Sequence, residues 1–420
     1  MPATATSTPA ASPTLPTRAY RCECGAPLFF RNSHCLQCDR PLGYDSERAR
    51  LLTLVPGPAE GLWHAAGEAD QVLYRRCDNL DNDAACNWLV EVDDSDTPSS
   101  GSCLCTACRL NRTIPDLTEP NNGVLWGRIE LAKRRLVSEL ITLDLPVRSR
   151  VGEDPEQGLA FDFLQSLPEG PPVVTGHDEG IITIDLDEAD DALREQRRTA
   201  LRESYRTLLG HLRHETGHYY WYRLVQHDAE WLDGFRLIFG DERNDYAEAL
   251  QTYYNLGCQP DWATRYVSPY ASCHPWEDWA ETWAHYLHMV DAVGTAHSFG
   301  LGEDKLAIEA DPFLPDTLQD ESDLGRDDVN SDARQAETNS FLQLVNMWVQ
   351  LTAVMNELSR SMGQADFYPF VLSPTAVRKL FFVHRLVIDT AARGDATVAA
   401  TAAPQAVPPA PAPAPAAQAA

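Results

Sequence analysis

The sequence predicts an α+β protein with a cysteine-rich β region first and a larger helical region after it. Two observations carry that expectation. Nine of the eleven cysteines fall before residue 110, in closely spaced pairs joined by short β-like runs. From Asn122 onward, apolar residues recur at three- and four-residue steps, the period of a helix with one buried face. The divisions expected are a disordered 1–17, a cysteine-pair region over 18–118, a mainly helical domain over 119–393 and a disordered Ala/Pro tail over 394–420.

The first 17 residues are Ala, Thr, Ser and Pro with little to bury, and they contain neither the basic nor the apolar segment of a secretory signal. Cys22 and Cys24 then form a C-x-C pair, and Cys35 and Cys38 a C-x-x-C pair about a dozen residues later. Four thiolates on two turns make a closed, structural zinc site that supplies folding energy to a module too small for its own core. A second set holds Cys77, Cys86, Cys105 and Cys108, with Cys103 left over or standing in for Cys105. Metal-like spacing, rather than disulfide pairing, points to a reducing, cytoplasmic compartment.

A helix is expected from Asn122 to Leu143, closed by Pro146, followed by short strands at Leu159–Leu164, Val173–Val174 and Ile181–Leu186. The central stretch runs from Tyr205 to Gln226 and is apolar around most of its circumference, as a helix inside a domain would be. It contains His214-Glu215-Thr216-Gly217-His218, an H-E-x-x-H. Histidines four apart share a helix face, so His214 and His218 can take two corners of a zinc tetrahedron. Glu215 then stands beside the metal's water as general base.

Phe235–Phe239 and Tyr246–Tyr254 are expected as packing segments, and a further helix starts at Pro275. Glu277 and Glu281 lie one turn apart on it, and His285 and His288 continue the same face. Glu281 sits among Trp279, Trp283 and Tyr286, where a solvated acidic turn is no explanation for it. The acidic Pro312–Asn339 stretch is expected as an exposed linker, before helices at Phe341–Leu358 and Thr375–Ile388, the latter capped by Ser373.

A formal charge of −28, from 62 acids against 34 bases, disfavours nucleic acid and anionic membranes, although Arg18–Arg50 is locally basic. No apolar run reaches the ~20 residues of a membrane span, so a soluble protein is expected.

The segments CECGAPLFF with CLQC, CRLNRTIPDL, YRTLLGHLRHETGHYYW, YASCHPWEDWAETWAHYLH and DFYPFVL resemble a bacterial family of zinc-binding metallopeptidases with an N-terminal zinc-ribbon module. The resemblance spans most of residues 20–390. It implies a gluzincin-like domain whose third metal ligand is a glutamate on a later helix, with one catalytic zinc and one or two structural ones. Residue by residue, it assigns Glu277 to zinc, Glu281 to support of the site and Tyr270 to the oxyanion, and it leaves Cys273 unexplained. His274, Glu281 and His285 compete with Glu277 for the third position. His274 precedes the helix, His285 lies two turns along it, and Glu281 is placed to accept an imidazole N–H. The implied partner is a peptide or protein substrate, with the ribbon free to recruit a protein. The rivals are a non-catalytic zinc scaffold, which has no need of an intact Glu215, and a hydrolase of a non-peptide amide.

Overall fold

The computed structural model describes residues 12–394 apart from 69–71, 93–101, 167–169, 202, 303–304, 307, 309–312 and 322–330. The expected Ala/Pro tail therefore lies outside the described residues except for Gly394, as do residues 1–11 of the expected disordered start.

The N-terminal region is a small antiparallel pair, β1 (Tyr20–Arg21) and β2 (Pro27–Leu28), set against a five-stranded antiparallel meander. The meander runs β3 (Leu42–Asp45), β4 (Arg50–Pro56), β5 (Leu62–Ala65), β6 (Leu73–Arg76) and β7 (Leu89–Val92) in sequence order. Its two ends approach each other where the Tyr44 amide donates to the Asn87 carbonyl at 2.8 Å. Tyr44 and Trp88 are fully buried there and pack at 5.2 Å, so the module has an aromatic core as well as its cysteines.

A second sheet has the order β10-β11-β9-β8, from β8 (Asn111–Thr113), β9 (Ala160–Leu164), β10 (Gly176–Asp178) and β11 (Ile181–Asp185). β8 and β11 run parallel to β9, and β10 pairs antiparallel at the edge. The strand expected at Val173–Val174 is instead this edge strand at Gly176–Asp178. Side-chain hydroxyls hold the lead-in as a loop: Ser166 accepts from the Val173 amide, and Thr175 from the Asp185 amide.

The helices described are α1 (Asn122–Thr142), α2 (Asp191–Ala200), α3 (Leu208–Tyr220), α4 (Ala229–Ile238), α5 (Tyr246–Leu256), α6 (Trp262–Arg265), α7 (Pro275–Ser298), α8 (Ser331–Ser361) and α9 (Pro374–Arg393), of which α3 lies against β10 and β11. α3 starts three residues later than the sequence suggests, because Thr207 caps it by accepting from the Gly210 amide at 3.0 Å. It ends in a π-helical turn over Trp221–Val225.

α7 is the axis of the helical region, packed by α3 on one side and by α8 and α9 on the other. The α3–α7 crossing is close because Gly217 has no side chain. A Cβ there would stand 2.9 Å from the Ala280 Cα and 3.2 Å from the Trp283 Cβ. Trp279 Nε1 also donates to the Gly217 carbonyl at 2.8 Å, and Tyr220 stacks on Trp283 at 4.8 Å. α9 is tied to the start of α7 by Lys379, whose ammonium donates to Asp278 at 2.6 Å and to the Arg265 carbonyl at 2.8 Å.

Two expectations are corrected here. Part of the acidic linker is helical: Pro315–Glu321 forms a 3-10 helix and α8 begins at Ser331. Ahead of the apolar stretch that starts at Phe341, α8 opens with helix formers such as Gln335 and Ala336, which are exposed. At the other end, residues 12–17 pack on the helices rather than trail away. Pro16 is buried, its carbonyl and ring facing Gly294, and Leu15 lies against the core. Among the described residues no helix is long and apolar enough to cross a membrane.

Candidate metal centres

Cys22, Cys24, Cys35 and Cys38 converge where the β1–β2 knuckle meets the turn before β3, with their sulfurs within 4.8 Å of one another. Cys77, Cys86, Cys105 and Cys108 converge in the same way between the meander and β8. A tetrahedron with Zn–S bonds of ~2.3 Å has S···S edges of about 3.8 Å. The Cys22–Cys38, Cys24–Cys35 and Cys86–Cys105 separations are 3.6, 3.7 and 3.6 Å. Both donor sets therefore fit zinc. Cys103 is not in the second cluster; its amide donates to Asp78, which fixes it to one side.

The third cluster lies at the α3–α7 crossing and joins His214, His218 and Glu277 within the same 4.8 Å. With metal bonds of ~2.0–2.1 Å, a tetrahedron has edges of about 3.3 Å. His214 Nε2 lies 3.3 Å from His218 Nε2 and 3.0 Å from Glu277 Oε2, and His218 Nε2 lies 3.7 Å from Glu277 Oε1. Glu277 Oε2 is buried with no hydrogen-bond partner among the described residues, and it borders this point beside His214 Nε2. The donors present fit a zinc ion.

The residues behind these atoms set their orientation. His214 Nδ1 lies 2.8 Å from Glu281 Oε1, a pairing that with a cation bound would keep the proton on Nδ1 and leave Nε2 to the ion. Glu281 is held in turn by the Ser268 hydroxyl at 2.6 Å, and the Ala271 amide donates to that hydroxyl at 3.1 Å. On the other ligand, the Tyr246 hydroxyl donates to Glu277 Oε1 at 2.6 Å. Tyr246 and Ser268 escape a reading of the sequence, since neither stands at helical spacing from the residues it serves.

Glu215 is 8% exposed, and burial pushes its carboxyl up to about 7. Burial alone would raise Glu277 too, but His218, His214 and Tyr246 outweigh it and bring it down to about 2. For His214, burial opposes protonation and the Glu277 and Glu281 carboxylates overcome it, holding its pKa well above the ordinary histidine range. Burial takes His218 down to about 4. The pocket thus favours positive charge at one point while keeping one imidazole neutral.

The other candidates face elsewhere. His274 caps α7 through Nδ1, accepting from the Trp276 amide, and its Nε2 lies 3.1 Å from the Asn244 carbonyl. His285 Nδ1 pairs with the Tyr368 hydroxyl and His288 Nδ1 with Arg213. The Tyr270 ring is 6.1 Å from that of His214, and the ring of His177, on edge strand β10, stacks on His218 at 6.5 Å. Cys273 ends the short turn before α7 and lines a pocket of about 380 Å³ beside α5; burial pushes its thiol up.

A family model described as "Putative zinc-binding metallo-peptidase" matches residues 122–386, and a zinc-ribbon domain model matches residues 19–119. Uncharacterized proteins of Mycobacterium bovis and of two strains of Mycobacterium tuberculosis are 39% identical over 375 residues, covering 89% of this chain and 96% of theirs. No solved structure matches. The helical region that carries the His214–His218–Glu277 cluster is the region the first model matches, and this chain belongs to that zinc-binding metallo-peptidase family, with a zinc-ribbon domain ahead of it.

Proposed function

We propose that the protein is a zinc-dependent peptidase of the gluzincin type, with His214, His218 and Glu277 as ligands and Glu215 as general base and acid. One observation carries this reading. Two imidazoles from α3 and a carboxylate from α7 meet at the edge lengths of a zinc tetrahedron, on the helix that bears the buried Glu215 carboxylate. Zinc bound there would polarise the scissile carbonyl and bring a water's pKa to about 7.

The chain's own groups supply the rest. Glu215 takes the proton of the attacking water and returns it to the leaving amine, help worth roughly 10²–10⁴ in rate. Glu281 holds the His214 ring in register. Tyr270, beside that ring, supplies a hydroxyl to the oxyanion. Among the described residues strand β10 pairs only with β11, and it carries His177 against His218, so an extended peptide laid along its other edge would run past the metal.

The test is cleavage of a defined peptide mixture by the full chain, read as new termini by mass spectrometry. Cleavage is expected to vanish on chelation and to return with zinc. Zinc-loaded protein that leaves every peptide intact would contradict the proposal.

A further inference from the structure

Glu277 borders the metal position with both of its oxygens, and a single contact makes them unequal. Oε2 lies 3.0 Å from His214 Nε2 and has no hydrogen-bond partner among the described residues. Oε1 lies 3.7 Å from His218 Nε2 and accepts the Tyr246 hydroxyl at 2.6 Å. By distance alone the carboxylate is placed to hold an ion with either oxygen or with both. A hydrogen bond to Oε1 occupies one lone pair and draws charge from that oxygen, leaving Oε2 the stronger donor.

Resting on the zinc reading above, we propose that Tyr246 is a positioning residue that keeps Glu277 a one-oxygen ligand. Its consequence is an open coordination position. Catalytic zinc sites keep three protein ligands and leave the fourth place to water or substrate. A glutamate bound through both oxygens would add a fourth protein donor and crowd that place to five-coordination.

The hydroxyl, rather than the packing of α5, is assigned this role for two reasons. The Tyr246 ring has contacts of its own, 5.1 Å from His274 and 5.9 Å from Trp276, and a phenylalanine would keep them. α5 itself buries Leu250 alone in full, so its attachment to the core is separable from the Tyr246 hydroxyl.

The experiment loads full-length parent, Tyr246→Phe and Leu250→Ala with cobalt(II). The spectrum of a His214→Ala/His218→Ala double variant is subtracted to remove the bands of the cysteine sites. Zinc affinity of the same proteins is read by competition with a chromophoric chelator. Tyr246→Phe is expected to weaken the visible cobalt bands, as four-coordinate metal becomes five-coordinate, and to raise the zinc dissociation constant about 10–100-fold. Leu250→Ala is expected to leave the band intensities at the parent's level. An unchanged spectrum and affinity in Tyr246→Phe would overturn the assignment, and so would a Leu250→Ala protein that reproduces both changes. An empty difference spectrum in the parent would instead remove the metal site itself, and the role of Tyr246 with it.

Discussion

Glu277 and Glu281 are the same side chain one helical turn apart, yet their surroundings give them different work. Glu277 presents Oε2 to His214 Nε2 and Oε1 to His218 Nε2. Glu281 has both oxygens engaged, one by His214 Nδ1 and one by Ser268. Losing Glu277 removes a ligand, whereas losing Glu281 frees the His214 ring to turn, typically a 10–100-fold effect. His285 pairs with Tyr368 and packs on Phe370 and His288, outside the cluster. Glu277→Ala is therefore expected to lower zinc affinity most, Glu281→Ala less and His285→Ala least. Competition with a chromophoric chelator ranks the three, and a larger loss for Glu281→Ala would show that the ligand set is wrong. The histidine pair and both glutamates were legible in the sequence because each pair repeats at a helical turn. Tyr246 and Ser268 were not, because the bonds they make cross 31 and 13 residues and no local pattern marks them.

At the scale of elements, the site depends on how closely α7 crosses α3. H-E-x-x-H locates the histidines but does not say that the glycine inside it is the crossing point. Gly217→Ala places a methyl against the Ala280 backbone and forces the helices apart. The overpacking costs about 1–3 kcal/mol, against a gain of at most ~1 kcal/mol in helix propensity. The expected result is a lower melting temperature together with weaker zinc binding, because Glu277 rides on α7. Wild-type stability and affinity in that variant would show that the crossing is slack.

The approach to α3 is fixed by Glu188, buried, 2.6 Å from Arg197, 2.8 Å from Arg206 and 3.1 Å from His211. Burial would raise its pKa, but His211 and Arg206 outweigh it and hold the carboxyl below its ordinary 4.5. A depressed folded pKa adds stability above pH 4.5 that is lost as pH falls toward the folded value. Glu188→Gln should remove that contribution. The stability difference between parent and variant is then expected to shrink as pH drops below about 4.5, as followed by chemical denaturation; a difference that stays constant would exclude the ion pairs as its source. None of these long-range contacts is marked in the sequence; α2 beside them does carry a local signal, its cap Asp190, which the sequence reading missed. The start of α7 at Pro275 and the Ser373 cap of α9 were legible, because such signals are written in adjacent residues, whereas the capping role of His274 was not foreseen.

Across the whole molecule, the ribbon region and the helical region share a buried ionic seam. Arg18 donates to Asp291 at 3.1 Å, Arg135 to the same carboxylate at 2.7 Å, and Arg213 to it at 2.9 Å. Arg213 directly precedes His214 on α3 and also holds Glu139 of α1 at 2.9 Å. The N-terminal module is thus keyed into the helix that carries the candidate active site. Its cysteine pairs announced the metal sites, but the meander between them lacked a clear alternating pattern, since strands β3 and β4 bury consecutive residues. Elemental analysis of desalted parent protein is expected to give three zinc ions per chain, and the His214→Ala/His218→Ala double variant two. A folded parent with one zinc or none would contradict the ribbon sites.

The central claim is hydrolysis by Glu215 at a zinc held by His214, His218 and Glu277. The most direct measurement compares parent and Glu215→Gln, matched for zinc content, on a peptide that the parent cleaves. The amide keeps the shape of the carboxylate but cannot accept the water's proton. The expected result is unchanged zinc content with a rate lower by roughly 10²–10⁴. Equal rates at equal zinc would contradict the account.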